Sequence, residues 1–154
     1  MSKILISGYY GFANAGDEAM LTAIIESLRQ VEKNVELTVL SGNPEDTAAK
    51  HQVCSVYRFN PLGIIRAMKD SELIISGGGS LLQDVTSKRS LLYYLSIIGL
   101  GKFFGKKVML FAQGIGPIRA KWARKLTSLV CNEADLITVR DSESAAELIE
   151  MSVK

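Results

Sequence analysis

A chain of 154 residues has room for one domain with a full hydrophobic core. Apolar residues make up 47% of it and charged residues 22%, proportions that exclude a disordered chain. A net charge of +2 gives no ground for nucleic acid or an anionic membrane surface as partner. Cys54 and Cys131 lie in no CxxC or metal-ligand spacing and sit among apolar neighbours, so reduced packing residues in a cytoplasmic protein are expected. At the amino terminus only Ile4 to Ile6 are strongly apolar before Ser7 interrupts, too few for a signal-peptide core. Ser90 to Gly101 is uncharged but falls short of the roughly 20 residues of a spanning helix, so it reads as a buried helix.

Lys3–Ser7 reads as a first strand, followed by a glycine-bearing loop from Gly8 to Gly16. Asp17 is placed as the cap of a helix to about Val31, in which Met20, Ala23, Ile24, Leu28 and Val31 recur at helical spacing. Val35–Leu40 is a second strand, closed by Ser41-Gly42-Asn43-Pro44. A short helix over Glu45–Lys50 precedes a weak third strand, Val53–Val56, and Pro61 opens a helix to Met68. Leu73–Ser76 is a fourth strand, ending in Gly77-Gly78-Gly79, with a helix from Arg89 to about Phe103 after it. Val108–Ala112 is a fifth strand, ending in Gln113-Gly114-Ile115-Gly116-Pro117. A helix over Lys121–Asn132, a sixth strand at Leu136–Val139 and a last helix capped by Asp141-Ser142 complete the order. Short wholly apolar strands alternating with helices predict a doubly wound, mostly parallel α/β sheet of Rossmann type with about six strands. The last helix stops at Lys154 without a glycine cap or a closing strand, and the sequence reads as a domain edge.

Three glycine-rich loops leave the carboxyl ends of these strands, where open α/β sheets bind ligands and where helix amino termini favour phosphate or carboxylate. The first, Gly8-Tyr9-Tyr10-Gly11-Phe12-Ala13-Asn14-Ala15-Gly16-Asp17, lacks the spacing of the dinucleotide fingerprint, and strand two offers no ribose-binding acid. No Gly-Lys-Ser/Thr follows any glycine run, which excludes a P-loop. Its three aromatics, Tyr9, Tyr10 and Phe12, are expected to face the crevice. The second, Gly77-Gly78-Gly79-Ser80-Leu81-Leu82-Gln83-Asp84, would let backbone approach a ligand with no Cβ in the way. The third, Gln113 to Pro117, is read as a crevice wall. Arg140 ends strand six and is open to two roles, a fork onto an anion or a salt bridge with Asp141 or Glu143. His51, the only histidine, is placed at the start of strand three, away from the crevice. Lys102, Lys106 and Lys107 read as a solvated face. Arg119, Lys121, Arg124 and Lys125 read as a second solvated face; they open a helix near the crevice and would also suit an anionic, membrane-tethered acceptor. The acidic residues have no spacing suited to a metal.

Four segments in this order resemble the polysaccharide pyruvyl transferase family: Gly8 to Ala19, Gly77 to Asp84, Gln113 to Pro117, and Val139-Arg140-Asp141-Ser142-Glu143-Ser144. Within that family the chain resembles the bacterial enzymes that pyruvylate the cell-wall polymers anchoring surface-layer proteins. The resemblance implies the N-terminal half of a two-domain fold similar to GT-B glycosyltransferases, residues 1–154 forming one Rossmann-like domain and a C-terminal domain lying outside this chain. It implies transfer of a pyruvyl group from phosphoenolpyruvate to two hydroxyls of a hexose, as a cyclic ketal, with no cofactor and release of phosphate. The acceptor would be a cell-wall glycan, free or lipid-linked at the inner membrane face, and the enzyme cytoplasmic and not an integral membrane protein. By motif position Asn14 and Asp17 are acceptor-site residues, Asp17 being the one to deprotonate a hydroxyl, and Arg140 binds the donor anion. Tyr10, Gly16, Gly78, Gly79, Ser80, Asp84, Gln113 and Gly114 complete the implied site. The family's histidine acid belongs to the second half, so His51 does not match it and this chain alone is expected to be inactive. A GT-B-like glycosyltransferase using a nucleotide sugar and a non-catalytic glycan-binding module stand as alternatives.

Overall fold

Strand and helix alternate through residues 1–154, all of which the computed structural model describes. The first half comprises β1 (Lys3–Ser7), α1 (Ala15–Val31), β2 (Glu36–Ser41), α2 (Pro44–His51), β3 (Cys54–Tyr57) and α3 (Pro61–Asp70). The second comprises β4 (Leu73–Ser76), β5 (Gly79–Leu82), α4 (Lys88–Phe103), β6 (Lys107–Ile115), α5 (Lys121–Glu133), β7 (Leu136–Val139) and α6 (Ser142–Glu150). Every strand pairing is parallel. The sheet runs β3-β2-β1-β4-β6, with β5 and β7 both paired to β6. This is the Rossmann-like doubly wound architecture expected from the sequence.

The sheet has seven strands rather than about six. Ser76 of β4 pairs with Leu110 and Gly79 of β5 with Gln113, the same stagger along β6, so β5 prolongs β4 after a two-residue break. The break falls at Gly77 and Gly78 because other side chains occupy the space their own would need. A Cβ on Gly77 would come within 2.3 Å of the Tyr10 hydroxyl, and one on Gly78 within 2.7 Å of Met20 Cγ. β6 likewise continues through Gln113-Gly114-Ile115, which the sequence places in a loop.

Parallel strands need cover on both faces, and alternate residues of each strand supply it. Ile4, Ile6, Leu37, Val39 and Ile75 pack with Leu21, Ile24 and Ile25 of α1. Leu5, Leu40, Ile74, Val108 and Leu110 point the other way, into a larger core with Ile64 and Met68 of α3 and Leu91, Leu95 and Ile98 of α4. Cys131 belongs to this core, and burial pushes its thiol up to about 12. Cys54, expected to be a packing residue, is exposed because β3 is the edge of the sheet. No helix is long and apolar enough to cross a membrane.

Because β1 has β2 on one side and β4 on the other, the chain winds outwards from β1 in both directions. The loops after β1 and β4 therefore flank the topological switch point, the place in such sheets where a crevice opens at the strands' carboxyl ends.

Candidate functional site

Asn14, not Asp17, caps α1. Its side-chain oxygen accepts the Asp17 backbone N–H at 3.1 Å, and the helix begins at Ala15. Both residue types make good caps, but only one can sit outside the helix with extended backbone, and Asn14 has φ −85° and ψ 111°. Asp17 then falls in the first turn with its carboxylate free to lean across the switch point. A Cβ on Gly79 would come within 2.9 Å of Asp17 Oδ1, so the carboxylate rests against the start of β5. Partial burial, and then the neighbouring Glu18 carboxylate, raise the Asp17 carboxyl above its usual range. Gly16 and Asn14 are exposed on the same turn.

The aromatics of the β1–α1 loop divide, contrary to the expectation that all three face the crevice. Tyr9 and Phe12 are each 41% exposed, whereas Tyr10 is completely buried. Its ring lies where Gly8 and Gly77 have no side chain: a Cβ on Gly8 would be 2.5 Å from Tyr10 Cζ. Its hydroxyl has no hydrogen-bond partner, and burial and then Asp17 push the phenol well above its ordinary range. Tyr10 is thus a packing floor beneath Asp17.

The same loop is anchored by a residue that the sequence reading did not single out. Glu18 Oε1 accepts the Gly11 N–H at 2.9 Å, and its Oε2 lies 3.2 Å from His51 Nε2. His51 is therefore not remote from the crevice. It is the last residue of α2, and a helical side chain leans towards the amino end of its own helix, which here is the carboxyl edge of the sheet. The Asn14-to-Glu18 spacing marks Glu18 as a first-turn acid, but its reach to Gly11 depends on the turn that Gly11 makes at φ +84°.

On the other side of β5 lies Arg140. Its Nε donates to Asp141 Oδ2 at 3.1 Å and its Nη1 to Ser80 Oγ at 2.9 Å. The guanidinium covers Gly114, where a Cβ would come within 2.8 Å of both Cζ and Nη2. The salt bridge and the crevice position thus coexist, with Arg140 half-exposed at 51% of its side chain. Asp141 caps α6 through the Ser144 N–H at 2.7 Å, and Ser144 first, then Arg140, hold its carboxyl below the usual range. Beside this pair a polar cavity of about 400 Å3 opens, lined by Arg140, Asp141, Glu143, Ser144 and Glu147 with Gly116 and Pro117.

Two further residues of the implied site are occupied by the chain itself. Gln113 is fully buried and its Nε2 donates to Ser76 O at 2.9 Å, Ser76 Oγ at 3.1 Å and Gly77 O at 3.2 Å. It braces the end of β4 from below, with Oε1 buried and unpartnered. Asp84 accepts from the backbone N–H groups of Arg119 at 3.0 Å and Ala120 at 2.9 Å. Because Ala120 has no side chain to cap α5, Asp84 does so from the β5–α4 loop, and the Ala120 bond leads in lowering its pKa. Arg124, from the basic group near the crevice, pairs with Glu147.

The structure thus brings Asp17 and Arg140 to opposite flanks of the Gly79–Ser80 segment, over a floor of Tyr10 and Gln113. No three His, Cys, Asp or Glu side chains converge as a metal-ligand set. A carboxylate with raised proton affinity and a guanidinium across one short segment can, in chemical terms, take a proton and hold an anion. A family model described as Polysaccharide pyruvyl transferase matches residues 14–152, which include Asn14, Asp17, Gly79, Ser80, Gln113 and Arg140 but not Tyr10. A search of curated proteins finds no match.

Proposed function

The chain belongs to the polysaccharide pyruvyl transferase family, and on that premise we propose that it carries the acceptor side of a site that transfers pyruvyl from phosphoenolpyruvate to a cell-wall glycan. Asp17 is the base: a carboxyl raised by burial holds a proton better than an exposed one, and so suits removal of a proton from a sugar hydroxyl. Asn14 fixes that carboxylate by capping its helix turn. Arg140 holds the donor anion, and Ser80 and Asp141 keep its guanidinium over Gly114.

In this reading one acceptor hydroxyl adds across the donor's double bond. Its oxygen bonds to C2 while C3 gains a proton and becomes a methyl group. The bond from C2 to the phosphate oxygen then breaks, the second hydroxyl bonds to C2 in its place and loses its proton, and the cyclic ketal and phosphate result. Asp17 serves the hydroxyls. Protonation at C3 falls to a group outside this chain, on the second domain that the resemblance implies, at the cytoplasmic face where a lipid-linked acceptor would be presented.

The observation that carries the proposal is the Asp17 carboxylate and the Arg140 guanidinium on either flank of Gly79–Ser80. The test is phosphate release from phosphoenolpyruvate by the enzyme containing this chain, with and without a glycan acceptor. Glycan-dependent release with a pyruvylated product supports it. Release of a nucleoside diphosphate from a nucleotide sugar, with no turnover of phosphoenolpyruvate, overturns it.

A further inference from the structure

Away from Asp17 and Arg140, a band of aromatic rings follows the carboxyl edge of the sheet from β1 to β3. Tyr9 and Phe12 stack with centroids 4.4 Å apart and planes 13° from parallel. Tyr57 and Phe59, at the end of β3, meet edge to face at 5.8 Å. All four face water, Tyr57 at 47% and Phe59 at 59% exposure. An exposed aromatic cluster of this kind, continuous with a binding crevice, marks a contact surface.

Beneath the band lies Arg58, only 5% exposed. Its Nε and Nη1 are buried with no hydrogen-bond partner. Five ring centroids surround its guanidinium carbon: Tyr93 at 4.4 Å, Phe59 at 5.0 Å, Phe12 at 5.2 Å, Tyr94 at 5.5 Å and Tyr9 at 5.9 Å. A buried cation without a carboxylate is costly unless something answers its charge, and here the negative faces of the rings do so. The cation in turn fixes the rings, since swinging one aside would strip the guanidinium of that compensation. Tyr93 adds a hydrogen bond from its hydroxyl to Arg58 O at 2.7 Å. The aromatic band is therefore ordered before any ligand arrives, which removes part of the cost of binding.

Polar groups flank the rings. Asn43 and Asn60, both exposed, use their side-chain oxygens to cap α2 and α3 at 3.4 and 3.1 Å. Their –NH2 groups remain as donors. Flat apolar faces beside amide donors, with the local cation buried, complement a neutral sugar chain. Its rings carry C–H faces that meet the negative face of an aromatic, and hydroxyls at their rims. An anionic lipid would instead call for exposed cations on the band.

We propose that Tyr9, Phe12 and Phe59, fixed from below by Arg58, and Tyr57, packed edge to face on Phe59, form a subsite for a neutral glycan chain, holding the sugars next to the one presented to Asp17. The proposal rests on the acceptor reading of that crevice, and its test separates the two. The chain is titrated with ladders of neutral gluco-, galacto-, manno- and N-acetylglucosamine oligosaccharides, from monosaccharide to tetrasaccharide, by calorimetry. Affinity for at least one ladder should rise with length. Phe59→Ala, which leaves four rings around Arg58, and Tyr57→Ala, both at exposed positions outside the two apolar cores, should each remove about 3- to 10-fold of the tetrasaccharide's affinity and leave monosaccharide binding unchanged. Affinity independent of length in every ladder overturns the subsite, as does a length gain that survives the double substitution. Stronger, ring-dependent binding to anionic phospholipid vesicles overturns it in favour of a membrane contact. Phosphate release with a monosaccharide acceptor, measured on the enzyme containing this chain with the same substitutions, reports on the pyruvyl reading alone, and stays at the parent level whether or not the subsite exists.

Discussion

Gly114→Ala separates the site from the fold. Gly114 lies in β6 without positive φ, so alanine fits its backbone. Replacing glycine at a compatible position stabilises by about 0.4–1 kcal/mol through the unfolded chain. The new methyl group would stand 2.8 Å from Arg140 Cζ and Nη2 and 2.9 Å from Ser80 Oγ, well inside contact distance. The far end of an arginine moves at little cost, so the guanidinium is displaced and its bond to Ser80 breaks, a loss of about 0.5–1.5 kcal/mol. The two effects nearly cancel, and the melting temperature should stay close to that of the parent. Anion binding should not. A hydrogen-bonded charge contact is worth about 1.5–3 kcal/mol, so the dissociation constant for phosphoenolpyruvate should rise by about 10- to 150-fold. Calorimetric titration of phosphoenolpyruvate, with thermal unfolding of the same samples, reads both quantities. Unchanged affinity at unchanged stability would refute the placing of Arg140 in the anion site. A large loss of stability would refute the claim that Gly114 is there to make room for a movable side chain.

Asp17→Asn should lower phosphate release by at least about 100-fold, the usual worth of a positioned base. The same change should stabilise the fold at neutral pH. The Asp17 carboxyl is raised in the folded state, so its contribution is present below the unfolded pKa and lost as pH rises through the folded value. The gain should therefore fade in acid, as denaturation midpoints across the carboxylate range would report. Asn14→Ala removes the α1 cap and should cost about 1 kcal/mol in urea denaturation, a penalty that Asp17→Asn escapes. Asp135 is held at about 2, first by the Lys102 hydrogen bond and then by the Val108 N–H. Its contribution is present above the unfolded value and lost as pH falls from about 4 to about 2. With a third of that side chain exposed, Asp135→Asn should cost on the order of 1 kcal/mol at pH 7, and the difference from the parent should vanish at the acid end of that window.

The fold was legible because a parallel sheet covered on both faces demands short wholly apolar strands, and Ile4 to Ile6 or Leu73 to Ile75 can be little else. β5 was not, since Gly79-Ser80-Leu81-Leu82 carries no strand pattern of its own and pairs only because β6 extends beyond β4. The cap of α1 was ambiguous for a local reason: Asn14 and Asp17 are both good caps, three residues apart, and the helix start decides between them. Tyr10 was misread for a non-local reason. Nothing within Gly8 to Asp17 tells which aromatic turns inwards, because the space for its ring comes partly from Gly77, far along the chain. Arg58 left a signal, a charge between Tyr57 and Phe59 just after a strand, but its burial depends on Tyr93 and Tyr94 from α4.

These errors share a cause that alters how the site works. Glycine runs at strand ends read as places where backbone approaches a ligand, yet here each glycine answers a side chain of the protein itself. Gly77 makes room for Tyr10, Gly78 for Met20, Gly79 for Asp17 and Gly114 for Arg140. A ligand at the switch point would therefore meet side chains rather than bare amides, a carboxylate on one flank of β5 and a guanidinium on the other. That arrangement suits a reaction needing a base and an anion clamp at fixed separation better than one needing only a phosphate cradle. It also makes the glycines indirect determinants of activity. A methyl group at Gly79 would press on Asp17 Oδ1 at 2.9 Å, just as one at Gly114 would press on Arg140 at 2.8 Å. Gly79 differs in having φ +96°, where any side chain strains the backbone as well. Gly79→Ala should therefore lose stability and activity together, whereas Gly114→Ala loses only the second.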